Sequence, residues 1–149
     1  MDLKIPPLVI LLVSALAQIE LADYLPIYSF GTLPLWIPIL WCAIGCVVML
    51  LGVVEFRRKQ TTVNPMKPDE VTALVTSGIF KYTRNPMYLG MTLVLVGGTF
   101  YWSEVSTWIA VIFFIAYIHY FQIKPEERMV EQKFGESFQA YKANVRRWL

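Results

Sequence analysis

Four groups of residues in this 149-residue chain have the types and spacing to do chemistry. The first is Arg84-Asn85-Pro86-Met87-Tyr88. Pro86 biases Asn85 away from the helical region and suits the first turn of a helix. Arg84 and Asn85 then fall beside the positive end of that helix, with Tyr88 inside its first turn and Gly90 leaving a gap next to it. The second group is the acidic pair Glu126-Glu127, preceded by Lys124-Pro125. Proline followed by acids is also ordinary helix-start chemistry, and on spacing alone that is the favoured account. The third is His119, the single histidine, on an apolar run about two helical turns before Glu126. Such a group is a candidate proton acceptor, and equally a hydrogen-bond partner for a neighbouring helix. The fourth is Tyr141, Arg146 and Arg147, placed to close over a site. Cys42 and Cys46, four apart in one apolar run, read as small packing residues, and no metal site is expected.

These groups need elements to hold them, and the composition says which. The chain is 56% hydrophobic and 16% charged, where soluble domains average about a quarter charged. Disordered chains, soluble charged binders and disulfide-rich secreted modules are thereby excluded. A net charge of +2 gives no reason to expect a nucleic-acid partner. Charged residues divide the sequence into four apolar runs, about 5–22, 33–54, 86–102 and 104–123. The last two form one stretch of 38 residues whose single charge is Glu104. One helix of that length would overshoot a bilayer core of about 30 Å roughly twofold, so a break at Trp102-Ser103-Glu104 is expected, with Ser103 as the N-cap of the next helix.

The expected architecture is a single all-α integral membrane domain over 1–149, with about four transmembrane helices. All 13 Lys and Arg fall in the segment before the first run, the loop 55–85 and the tail 124–149. The positive-inside rule makes both termini cytoplasmic, in a bacterial inner membrane. Ala15-Leu16-Ala17 has the look of a signal-peptidase site, but Lys4 is offset by Asp2 and the first run is expected to stay as an anchor. Gly45 and Gly52, and likewise Gly90 and Gly97, are seven apart, a spacing that lets helices approach closely within one chain or between chains. Loop and tail together are expected to form a cytoplasmic cap. Phe134, Phe138, Tyr141, Val145 and Trp148 recur as one apolar stripe, which predicts an amphipathic helix through the tail.

The sequence Leu74-Val75-Thr76-Ser77-Gly78-Ile79-Phe80, followed by Arg84-Asn85-Pro86-Met87-Tyr88-Leu89-Gly90, resembles the signature of the isoprenylcysteine carboxyl methyltransferases and the phospholipid methyltransferases. Their core reads Arg-His-Pro-x-Tyr-x-Gly. The tail matches too, in Glu126-Glu127, Phe134-Gly135-Glu136, Tyr141-Lys142 and Val145. The resemblance implies methyl transfer from S-adenosylmethionine to a lipophilic, membrane-partitioned acceptor. The family's cofactor site falls on Thr72, Ala73, Leu74, Val75, Phe80, Asn85, Pro86, Met87, Tyr88 and Glu126. Arg84, Asn85 and His119 are the candidate catalytic residues, and Gln122 and Arg146 the candidate substrate contacts.

Three positions depart from the family pattern: Asn85 for His, Phe138 for Tyr, and Gln122 where the prenylcysteine enzymes place an Arg for the substrate carboxylate. Asn85 keeps a hydrogen bond and loses imidazole proton chemistry. Without the Arg a prenylcysteine carboxylate is not the expected acceptor, so the resemblance supplies a reaction class and no substrate. Two rivals remain: a non-catalytic membrane scaffold with the same architecture, and an NADPH-dependent membrane reductase, a class that shares an Arg-His-Pro-x-Tyr segment but needs more spans.

Overall fold

The structure, a computed structural model, describes residues 5–60 and 73–149. Thr72, Lys4, Lys67 and the remainder of 61–71 lie outside the described residues. Within them the regular structure is helical, joined by loops, with one isolated antiparallel bridge, Ser29 with Glu104. Five helices follow one another: α1 Pro7–Tyr24, α2 Trp36–Arg58, α3 Pro86–Trp102, α4 Trp108–Ile118 and α5 Lys124–Asn144. A 3-10 turn, Gly78–Lys81, precedes α3, a second, Val105–Thr107, precedes α4, and a π turn, His119–Ile123, joins α4 to α5.

Three stretches are long and apolar enough to cross a bilayer: Pro7–Tyr24, Trp36–Arg58 and the 40 residues Val105–Asn144. At about 1.5 Å per residue the last would reach about 60 Å, twice the hydrocarbon thickness. Its apolar part ends at Ile123, where charge begins with Lys124, so α5 lies outside the hydrocarbon. α3 has 17 residues, a little short for the core, yet it runs antiparallel along α2 and shares its slab. The protein is an all-α membrane protein with α3 as its inner helix. Tyr88, Met91 and Leu95 of α3 pack with Ile10, Val111, Phe114 and Ile118 in the core, while Leu8, Leu12 and Leu16 of α1 and Leu50 of α2 face outward.

The glycine spacing explains the α2–α3 contact. A Cβ on Gly45 would stand 2.6 Å from the Gly90 carbonyl oxygen, and one on Gly90 2.5 Å from the Gly45 oxygen. The two backbones therefore touch, and this stripe is used inside one chain. On the other side of α3, Gln18 of α1 donates from Nε2 to the Leu95 carbonyl and to Thr99 Oγ1, both at 2.9 Å. Ser106 Oγ donates to the Leu21 carbonyl at 3.0 Å, fixing the start of α4 against the end of α1.

Two expectations are corrected. Ser103 does not start a helix; it ends α3 as a left-handed C-cap with φ 54°, and its carbonyl accepts from Phe30 N–H at 3.0 Å. Lys124-Pro125 does open α5, with Glu126 and Glu127 in its first turn, although Ile123 before it is already helical and the wide π turn runs on from α4. Proline lacks an N–H and its ring clashes with the preceding turn of an α-helix, which a π turn relieves. Lastly, the tail stripe does not lie on one helix. Gly135 kinks α5 with φ 50° and ψ −122°, a conformation open mainly to glycine, and Val145 leaves the helix with φ −126°. Residues 145–148 form a strap that returns to the start of α3.

Candidate functional site

The start of α3, the start of α5 and the strap converge at the end of the bundle that carries the basic residues. Pro86, as the first residue of α3, fixes where Arg84 and Asn85 leave the helix. The Arg84 backbone N–H donates to the Arg146 carbonyl at 3.1 Å. Its guanidinium is buried; Nη1 donates to the carbonyls of Lys142 (3.1 Å) and Val145 (2.9 Å), and Nη2 to Glu127 Oε1 (2.7 Å). Its Nε, also buried, has no partner among the described residues. Asn85 Nδ2 donates to the Arg147 carbonyl at 2.9 Å, and Thr83 Oγ1 to the same oxygen at 3.4 Å.

Glu127 is the hub. Besides Arg84 it accepts from Arg147, Nε to Oε1 at 3.1 Å and Nη2 to Oε2 at 2.6 Å, a two-pronged charge-assisted pair. Burial alone would raise its pKa, but the hydrogen bonds from Arg147 and the charge and hydrogen bond of Arg84 hold it below the usual carboxylate range. Arg147 Nη1 stands 3.3 Å from His119 Nε2. A guanidinium only donates, so Nε2 is the acceptor and the imidazole proton sits on Nδ1. In this state His119 has no free lone pair for proton abstraction.

Glu126, the neighbour of Glu127, points elsewhere, since successive residues on a helix diverge by about 100°. Its Oε1 accepts from the Tyr88 hydroxyl at 2.5 Å, and its Oε2 has no partner among the described residues. Burial pushes this carboxyl up to about 7, opposed by the Tyr88 hydrogen bond and helped by the charge of Glu127. Tyr88 is 4% exposed and belongs to the core of the bundle, so the pair bridges the apolar interior and the basic end.

The loop before α3 forms another wall. Val75 and Phe80 are buried, Ala73 and Leu74 half-buried. The backbone of Ala73 to Thr76 makes no hydrogen bond with any described residue. The Phe80 carbonyl accepts from Tyr141 at 2.7 Å, which ties loop to tail, and burial pushes the Tyr141 phenol up to about 12. Pro86 and Met87 pack against Gly52 of α2.

Thus Arg84, Asn85, Tyr88, Glu126, Pro86, Met87, Phe80 and His119 come together. Gln122 and Arg146 do not join them in the same way. Gln122 is fully buried, donating from Nε2 to the Ile5 carbonyl at 2.6 Å. Arg146 is exposed and offers only its carbonyl. Thr72 is outside the described residues. Sequence reasoning passed over Glu127 as a hub and over Glu55, whose signal is a lone acid in the last turns of the apolar helix α2. A cavity of about 320 Å³, lined by Ser29, Thr32, Pro38, Phe100, Tyr101 and Trp102 among others, opens at the far end of α3 and is not part of this cluster.

The family model described as "Phospholipid methyltransferase" matches residues 33–137. The match takes in Glu126 and Glu127 and stops before the strap. An uncharacterised protein of Haemophilus influenzae is 44% identical over 63 residues, which is 42% of this chain and 100% of that relative. No solved structure matches.

Proposed function

The chain belongs to the phospholipid methyltransferase family, and from that premise we propose that it transfers a methyl group from S-adenosylmethionine to a lipophilic acceptor held in the membrane. The observation that carries the reading is Glu126: a carboxyl at the membrane boundary, oriented by Tyr88, with one oxygen unengaged among the described residues. The donor set fits the cofactor. Glu126 can accept from its ammonium or its ribose hydroxyls, while the N-terminus of α3 and the Arg84 Nε–H, which has no partner among the described residues, can receive its carboxylate. The backbone of Ala73 to Thr76, which makes no hydrogen bond with any described residue, offers further donors and acceptors, and the face of Tyr88 favours a cation. Bound there, S-adenosylmethionine supplies an electrophilic methyl carbon.

The residues have little acid–base work to do, because methyl transfer depends on alignment and on a desolvated acceptor. Arg84 and Asn85 hold the strap over the site, and the core around Tyr88 excludes water. The distribution of basic residues supports a cytoplasmic location for this end, from which a soluble donor would enter while a lipid acceptor arrives laterally. A second reading, a scaffold without catalysis, draws on one observation: Arg84 and Asn85 bind the chain's own strap. Calorimetric titration of nanodisc-held protein with S-adenosylhomocysteine separates the two. Micromolar binding that Glu126→Gln loses supports the enzyme. No binding to folded protein at millimolar ligand leaves the scaffold.

A further inference from the structure

Glu55 stands in the last turns of α2, buried at 8% exposure, and no step above uses it. An acid near a helix C-terminus opposes the macrodipole, so its own helix gains nothing from it. Apart from Arg58 on its own helix, its contacts among the described residues lie on the loop. Oε2 accepts from Ser77 Oγ at 2.7 Å, and Oε1 accepts from Arg58 Nη1 at 3.1 Å. The Arg58 side chain is 71% exposed, so this ion pair is solvated and contributes little. The carboxyl also packs directly on Gly78. A Cβ there would lie 2.5 Å from both its Cδ and its Oε1, and Gly78 has φ +58°, so two independent demands call for glycine. One residue along α2, Phe56 meets Phe80 edge-on with centroids 5.2 Å apart. The end of α2 therefore grips the turn Gly78–Lys81 from two sides, immediately after the segment Ala73 to Thr76.

We propose that Glu55 is a positioning residue of the donor pocket: its hydrogen bond to Ser77 and its packing on Gly78 set the Ala73–Ser77 backbone in the conformation that receives S-adenosylmethionine. The inference rests on the methyltransferase reading and adds to it a residue outside the family signature. Glu55 touches no donor atom and acts through Ser77. Because the same turn carries the Phe80 carbonyl that Tyr141 binds, a shift at Ser77 also reaches the tail.

The test is S-adenosylhomocysteine titration of nanodisc-held wild type, Glu55→Ala, Glu55→Gln, Ser77→Ala and the Glu55→Ala/Ser77→Ala double variant, with melting of each ligand-free protein recorded alongside. Glu55→Ala and Ser77→Ala should each weaken binding about tenfold, the scale of one hydrogen bond to a charged group, and the double variant should be no weaker than the singles. Glu55→Gln, whose amide oxygen still accepts from Ser77, should recover affinity to within about threefold of wild type, which general destabilisation would not produce. Wild-type binding together with unchanged affinity in folded Glu55→Ala overturns the inference, as does a Gln variant as weak as the Ala variant. Absence of wild-type binding strikes the methyltransferase reading itself and takes the inference with it.

Discussion

The two ends of the bundle each hold buried carboxylates, and they use them differently. At the far end Glu104 is 6% exposed, and its Oε1 accepts from the backbone N–H groups of Ile27 at 2.7 Å and Tyr28 at 2.6 Å. With the Val105 N–H bond to the Tyr28 carbonyl, at 2.9 Å, it staples the α1–α2 connection to the α3–α4 connection. At the basic end the work is divided between adjacent acids. Glu127 is bound by two arginines through both oxygens, whereas Glu126 has one partner among the described residues. Glu104 and Glu127 each tie separate chain segments together, whereas Glu126 takes a single hydroxyl among the described residues, which makes it the carboxylate with most to gain from a ligand. That contrast separates structure from chemistry without reference to any motif.

The largest effect that would break the comparison is expected at Glu127. Glu127→Ala leaves Arg84, with 8% of its side chain exposed, and Arg147, with 26%, without their counter-charge. Removing one partner of a largely buried pair costs about 3–5 kcal/mol. The variant should melt well below wild type and expose the tail to proteolysis after residue 144. A tail as protected as in wild type would remove Glu127 from its place as hub.

Glu104→Ala is the matching experiment at the far end and should be milder. Two backbone N–H groups lose their acceptor, but Ile27 and Tyr28 are 62% and 66% exposed, so water can replace it. The expected cost is about 2 kcal/mol in stability. S-adenosylhomocysteine affinity should stay within about twofold of wild type when measured below the melting range. A tenfold loss of affinity would show that the two ends are coupled through α3 and would blur the distinction drawn here.

How much of this was legible in the sequence differs between the same two regions. Charge breaks and prolines marked where helices could lie, and α3 runs from Pro86 to Trp102. The seven-residue glycine spacing marked the α2–α3 contact, because close approach needs small residues at a helical repeat. Periodicity failed in the tail for a physical reason: it reports which side of a helix is apolar and says nothing about where the backbone ceases to be helical. Tyr141, Val145 and Trp148 continue the stripe, yet Val145 is extended and the carbonyl of Arg147 serves Asn85. Ser103 failed likewise, since a good N-cap residue was held in the left-handed region by the chain's contact with Phe30. The acidic pair was visible in the sequence. Pro125 marked the start of α5 correctly, but which acid faces Tyr88 and which faces the arginines depends on how that helix is rotated against α3 and the strap, and spacing along the chain does not give that.

The smallest expected effect sharpens the contrast between the two neighbouring acids through pH. Burial raises the Glu126 carboxyl to about 7 in the folded chain, from an ordinary value of 4.5. A raised carboxyl favours its neutral form, so its contribution to stability is full below about pH 4.5 and is lost as pH rises through about 7. Ligand binding should run the other way. If the carboxylate form receives an ammonium, about a tenth of the protein is ready at pH 6 and about nine-tenths at pH 8, so S-adenosylhomocysteine affinity should rise by up to about tenfold between them. Glu127, held low by its arginines, titrates outside this window and should contribute to neither trend. Calorimetry and melting at pH 6, 7 and 8 would therefore show affinity rising while ligand-free stability falls, and Glu126→Gln should flatten the stability trend. Affinity that is flat with pH in the wild type would take the ammonium away from Glu126 and leave it the ribose hydroxyls, which a neutral carboxyl can also bind.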